Sequence, residues 1–130
     1  NPMVRYLGVL PPQEIEGLRN GATILVNPRK NEGDYTKFSF PSKMMEYLAS
    51  GVPTVAYRLD GMPEDYEGLF IDATDGGLKA ALNRALAMDP EDLHQLSFRA
   101  KTYVLNHKGS KDQCARTLEL FRKESTYIER

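Results

Sequence analysis

Apolar positions along the first part of the chain fall into short runs, Val4-Arg5-Tyr6-Leu7-Gly8-Val9-Leu10 and Ala22-Thr23-Ile24-Leu25-Val26. Each has the length of a strand, is rich in β-branched or aromatic residues and is bounded by Gly, Pro or Asn, which predicts two strands. The second run does not alternate, as expected of a strand buried on both faces. Between them, residues 11–21 predict a short helix. Prolines open it, Ile15 and Leu18 share a face, and Asn20-Gly21 closes it. A polar, aromatic loop follows over residues 27–41. Helical spacing then returns from Ser42 to Ser50, with Gly51 as its stop and Pro53 just beyond. Residues 53–57 and 68–72 are the next strand candidates, separated by the turn chemistry of Asp60-Gly61-Met62-Pro63.

The rest of the chain reads as helix. Gly76-Gly77 marks a helix start, and Leu78, Leu82, Ala85 and Leu86 repeat at helical spacing until Asp89-Pro90. Pro90 opens the next helix at its first position, with Leu93, Leu96, Ala100 and Tyr103 as its apolar stripe. Ser110-Lys111-Asp112-Gln113 has the pattern of a capping box, followed by a face of Cys114, Leu118 and Phe121. Strands alternating with helices predict an α/β fold: a Rossmann-like, mostly parallel sheet with helices on both faces and extra C-terminal helices.

Composition narrows the function classes. A length of 130 residues fits one domain and is enough for a core that needs no disulfide or metal. Seventeen basic against 18 acidic residues leave a formal charge of −1, so there is no broad basic field for nucleic acid. Cys114, the only cysteine, excludes an internal disulfide and fits a reducing compartment. No apolar stretch approaches the roughly 20 residues of a membrane span, and no signal peptide opens the chain. The expectation is a soluble, cytoplasmic domain. Its start at Asn1-Pro2-Met3 suggests an interior or trimmed piece of a longer protein.

The chemistry concentrates in residues 38–53. On a helical wheel starting at Ser42, Met44, Leu48, Met45 and Ala49 fill one apolar arc that should face the core. Ser42, Glu46, Ser50, Lys43 and Tyr47 take the opposite arc. Ser42 and Lys43 occupy the first turn, where free backbone N–H groups and the positive end of the helix dipole favour an anion. A lysine there inverts the usual preference for acidic residues and points to a ligand's negative charge. Glu46 lies one turn further on the same face, a rise of about 6 Å at roughly 1.5 Å per residue. That offset suits a diphosphate at the helix tip and a ribose beside it, the carboxylate accepting from two adjacent hydroxyls. On wheel geometry alone, a solvated helix face carrying a Lys and a Glu is the commoner explanation.

The pattern Phe40-Pro41-Ser42-Lys43-x-x-Glu46-Tyr47-x-Ala49-Ser50-Gly51-x-Pro53 resembles the donor-site helix of retaining glycosyltransferases with the GT-B fold, the glycosyl transferases group 1 family. Tyr6-Leu7-Gly8, the run from Ala22 to Pro28 and the segment from Gly68 to Asp72 extend the resemblance over about residues 4–90. It implies that residues 1–130 are a partial nucleotide-sugar-binding domain, part of a longer two-domain hexosyltransferase. Its partner ligand would be a UDP- or GDP-sugar. By the same resemblance Ser42 and Lys43 hold the diphosphate, Glu46 the ribose, and Ser39, Phe40 and Pro41 lie near the donor sugar. Val9 and Leu10 approach the base through their backbone. The acceptor would belong to an N-terminal domain outside this chain, in surface polysaccharide or glycolipid synthesis, with peripheral membrane association of the full enzyme. One departure is Phe38, where the family pattern has a second Glu eight residues before Glu46.

Developing charge on the leaving diphosphate would be met by the helix N–H groups and Lys43, which calls for no divalent metal or other cofactor. No Asp-x-Asp pattern occurs to hold one. The catalytic residues are not identified by these motifs. Arg29 and Lys30 could close over phosphates, although a solvated surface loop is the commoner explanation. His94 and His107 lack partners at metal-ligand spacing, and Cys114 reads as core. P-loop, dinucleotide-binding and hydrolase-elbow patterns do not occur. A non-catalytic nucleotide-binding or assembly domain of the same fold is the rival reading. A nucleotide-sugar epimerase would need different acid–base residues.

Overall fold

The computed structural model of the chain describes residues 3–38 and 42–109. The elements run in the order α1 (Pro12–Asn20), β1 (Leu25–Asn27), a 3-10 turn (Asp34–Lys37), α2 (Ser42–Ser50), β2 (Thr54–Ala56), a second 3-10 turn (Glu64–Tyr66), β3 (Ile71–Asp72), α3 (Gly77–Ala87) and α4 (Pro90–His107). The strands form one sheet in the order β1-β2-β3, with both pairs parallel. Val55 stands opposite Val26 on one side and Ile71 on the other. The architecture is the expected α/β one.

The middle strand β2 is buried along its whole length, and its alternation sorts the core into two layers. Val55 packs with Ile71, Ala73, Ala81 and Ala85, the side covered by α3. Ala56 packs with Met44, Leu48, Leu59, Tyr66, Phe70, Ala100 and Val104, the side covered by α2 and α4. The long helix α4 serves both: Leu93 and Leu96 pack against the first cluster, Ala100 and Val104 belong to the second. Its start is fixed by Asp89, whose side chain accepts from the Glu91 N–H at 2.9 Å, and by Pro90 in the first turn.

Helix α2 buries the arc its periodicity marks. Met44 and Leu48 are fully enclosed, and Met45 and Ala49 pack against the same cluster. Gly51 ends it with φ +76°, a left-handed conformation that L side chains rarely adopt. A Cβ on Gly51 would also stand 3.0 Å from Lys101 Cδ, so the same glycine lets α4 come close.

Three expectations are corrected. Residues 4–10 do not form a strand: Val4, Tyr6 and Val9 are exposed, Val9 to 99%. A strand needs a ladder partner and a covered face, and among the described residues this segment has neither. Gly8, at φ +68°, also breaks any extended run. The strand expected over residues 22–26 begins only at Leu25 and is half-buried, because among the described residues it lies at the edge of the sheet with one ladder partner. Leu86, placed in the apolar repeat of α3, is 72% exposed; Ala85 of that repeat is buried together with Ala81, and Leu78 and Leu82 pack against them. The capping box at Ser110 and the face of Cys114, Leu118 and Phe121 lie outside the described residues.

Candidate functional site

The first turn of α2 contains no acidic residue. Ser42, Lys43 and Glu46 are exposed there. The core side of the helix is anchored by Met44 and Leu48, which fixes the rotation that turns Lys43, Glu46 and Tyr47 outward toward α1. These three meet Ile15, Leu18 and Arg19 of α1 and Leu25 of β1 around a cleft of about 220 Å³. The lysine and the carboxylate proposed for one ligand therefore line one concavity, with apolar walls from Ile15, Leu18 and Leu25.

Arg19 was not singled out by sequence reasoning. Its guanidinium Nη1 donates to Glu46 Oε2 at 3.4 Å, joining the last turn of α1 to α2. A 27-residue separation hides such a pair from any periodicity argument. Ser50, on the polar arc with Glu46, has a structural role: its hydroxyl donates to the Tyr47 carbonyl at 2.6 Å and accepts from the Val52 N–H at 3.2 Å, tying off the helix.

The other expected site residues distribute as follows. Val9 is exposed, and Leu10 lines a separate hollow with Arg5, Leu7, Glu14 and Gly17. Leu18 borders both that hollow and the α1–α2 cleft, so α1 is the wall between them. Ser39, Phe40 and Pro41 lie outside the described residues. Phe38 is 90% exposed. Lys30 places its ammonium 5.6 Å from the centre of the Tyr57 ring, a cation–π contact on the surface.

A second hollow, of about 560 Å³, opens beyond the carboxyl ends of β2 and β3. The Asn31 side chain donates to the Arg58 carbonyl and to Asp60, and accepts from the Asp60 N–H at 3.0 Å. Asp72 Oδ1 accepts from the Thr74 N–H at 2.8 Å, from the Thr74 hydroxyl at 2.6 Å and from the Arg58 N–H at 3.4 Å. These bonds engage Asn31, Asp60, Asp72 and Thr74 in fastening loops to strand ends. The position of Asp72, last in a strand, was the one sequence signal for them.

At the far end of α4, the Tyr103 hydroxyl donates to Asp65, and Lys108 pairs with the same carboxylate at 3.3 Å. The tyrosine hydroxyl holds the Asp65 carboxyl below its ordinary value; burial opposes it, and the Lys108 ammonium adds smaller pushes in the same direction as the tyrosine. Burial pushes the Tyr66 phenol up to about 12, helped by the Asp65 charge. This cluster is a clamp between α4 and the turn before β3. Among the described residues, no three His, Cys, Asp or Glu side chains gather where they could hold a metal. No described helix is long and apolar enough to cross a membrane.

Comparison with known proteins follows the same region. The family model of the glycosyl transferases group 1 matches residues 1–88. The chain is similar to the D-inositol 3-phosphate glycosyltransferase of Corynebacterium efficiens, 35% identical over 92 residues, which are 68% of this chain and 20% of that protein. It is similar also to the proteins of the same name from Corynebacterium kroppenstedtii, 30% identical over 95 residues (70% and 20% of the two chains), and Corynebacterium diphtheriae, 35% identical over 92 residues (67% and 20%). The chain spans about a fifth of the length of these relatives. No solved structure matches it.

Proposed function

This chain belongs to the glycosyl transferases group 1 family, and from that premise we propose that residues 1–130 are part of a donor domain that binds a nucleotide diphosphate sugar, UDP- or GDP-linked. The observation that carries the reading is the shared cleft of Lys43 and Glu46 between α1 and α2. Ser42, Lys43 and the free N–H groups of the first turn hold the diphosphate, and Glu46 accepts the ribose hydroxyls. The backbone of Val9 and Leu10 meets the base, and Ser39, Phe40 and Pro41 flank the sugar. During transfer, negative charge grows on the leaving diphosphate. A lysine and oriented N–H groups already in place stabilise that charge without reorganising.

The sugar passes to a hydroxyl compound held by a part of the enzyme outside this chain. The relatives named for D-inositol 3-phosphate support a phosphorylated polyol as acceptor; surface polysaccharide or glycolipid synthesis is the wider setting, in the cytoplasm. A second reading, a nucleotide-binding or assembly domain without catalysis, draws on Phe38, whose exposed ring stands where the resembling family carries a carboxylate.

The test is calorimetric titration of the chain with uridine and guanosine diphosphates. Charge-assisted hydrogen bonds to phosphate contribute about 1.5–3 kcal/mol. Lys43→Ala should therefore weaken binding roughly tenfold or more. Equal affinity in mutant and wild type would remove Lys43 from the phosphate site.

A further inference from the structure

The pair between Arg19 and Glu46 divides two hollows. On one side lies the α1–α2 cleft with Lys43; on the other, a polar hollow of about 510 Å³ lined by Glu16, Asn20, Ser50 and Lys101. Among the described residues, Arg19 and Glu46 are the only ones common to both linings. The two side chains are unequally held: Arg19 keeps 20% of its side-chain surface in contact with solvent, Glu46 48%. The Nε of Arg19 is buried and has no hydrogen-bond partner among the described residues. Its guanidinium is thus set by packing, and its single bond to Glu46 falls on Oε2. Oε1 of Glu46 has no protein partner among the described residues.

An exposed glutamate samples several rotamers, and a ligand that needs one of them must select it on binding. A rigid planar guanidinium on a neighbouring helix removes that freedom beforehand, and a lysine, being a flexible point charge, does so less well. We propose that Arg19 is a positioning residue for nucleotide recognition. It restrains the Glu46 carboxylate by one oxygen and leaves the other to accept from a ribose hydroxyl. This inference rests on the reading of Glu46 as the ribose ligand given above. Arg19 touches no ligand in this scheme, and its effect passes through Glu46 alone.

The experiment is a double-mutant cycle on the full chain, with uridine diphosphate, guanosine diphosphate and inorganic diphosphate as probes. Arg19→Ala is expected to lower nucleotide affinity about threefold to tenfold, the lower part of the range for coupled neighbours. Affinity for inorganic diphosphate is expected to stay the same. In a Glu46→Gln background the same change should have no further effect, and Arg19→Lys should keep part of the wild-type affinity. A purely structural role for Arg19 would weaken diphosphate too, or would act additively with Glu46→Gln, and either result overturns the proposal. So does unchanged nucleotide affinity in Arg19→Ala while Glu46→Gln lowers it. If Glu46→Gln itself fails to separate nucleotide from diphosphate, the ribose assignment falls first and this inference falls with it.

Discussion

Glu46 stands with 48% of its side chain in solvent and one long ion pair. Exposed pairs of this kind contribute little to stability, so Glu46→Gln should change the unfolding free energy by no more than about 0.5 kcal/mol. The amide keeps one acceptor oxygen but replaces the other with a donor, so the side chain can no longer accept from Arg19 and from the ribose with one oxygen each. Nucleotide affinity should fall while inorganic diphosphate affinity holds, a contrast that parallel titrations of both ligands would reveal. Equal losses would point to a general defect. Tyr66 is the opposite kind of residue, 2% exposed and packed edge-on to Tyr103 with ring centres 5.7 Å apart. Its folded pKa of about 12 lies above the ordinary 10.0. The stabilisation this gives is complete below pH 10 and is lost as pH rises toward 12, at up to about 1.4 kcal/mol per pH unit. Tyr66→Phe should flatten that alkaline loss in urea titrations run across the interval. Asp65 works in the other direction: its lowered carboxyl contributes above its ordinary 3.8 and stops contributing as acid protonates it.

The turn from α2 into β2 depends on a backbone conformation as much as on contacts. At φ +76°, Gly51→Ala incurs the left-handed penalty of roughly 1–2 kcal/mol. The Lys101 side chain, 3.0 Å from the new methyl, is flexible enough to move aside. Most of the loss should therefore persist in a Lys101→Ala background, as denaturant midpoints would report; relief by that second change would assign the cost to the clash instead. This stop was legible in the sequence, as were α1, α2, the buried arc of α2 and the opening of α4. Each is encoded by a period, a cap or a breaker within a few residues. What could not be read depends on distant partners. The run from Val4 to Leu10 has strand composition, but composition supplies no neighbouring strand. Arg19 meets Glu46 across 27 residues, and Asn31 meets Asp60 across 29, so neither link leaves a local trace. Lys43 and Glu46 were recognisable as a pair on one face. The walls that make a cleft of that face come from another helix.

The matched region covers only a fifth of each relative's length. A sugar transfer has two substrates, and the proposed cleft accounts for one. The 130-residue chain should accordingly bind nucleotide weakly and release no sugar to an acceptor. A coupled assay of nucleotide release should stay at background for the chain alone, and sustained turnover would overturn the division of labour proposed here. Within the chain, α4 has a consequence of its own. The sheet keeps Val55 and Ala56 in separate apolar layers, yet one helix contributes to both, Leu93 and Leu96 to the first, Ala100 and Val104 to the second. Detaching α4 uncovers both layers at once. The two layers should for that reason lose their cover together when α4 opens.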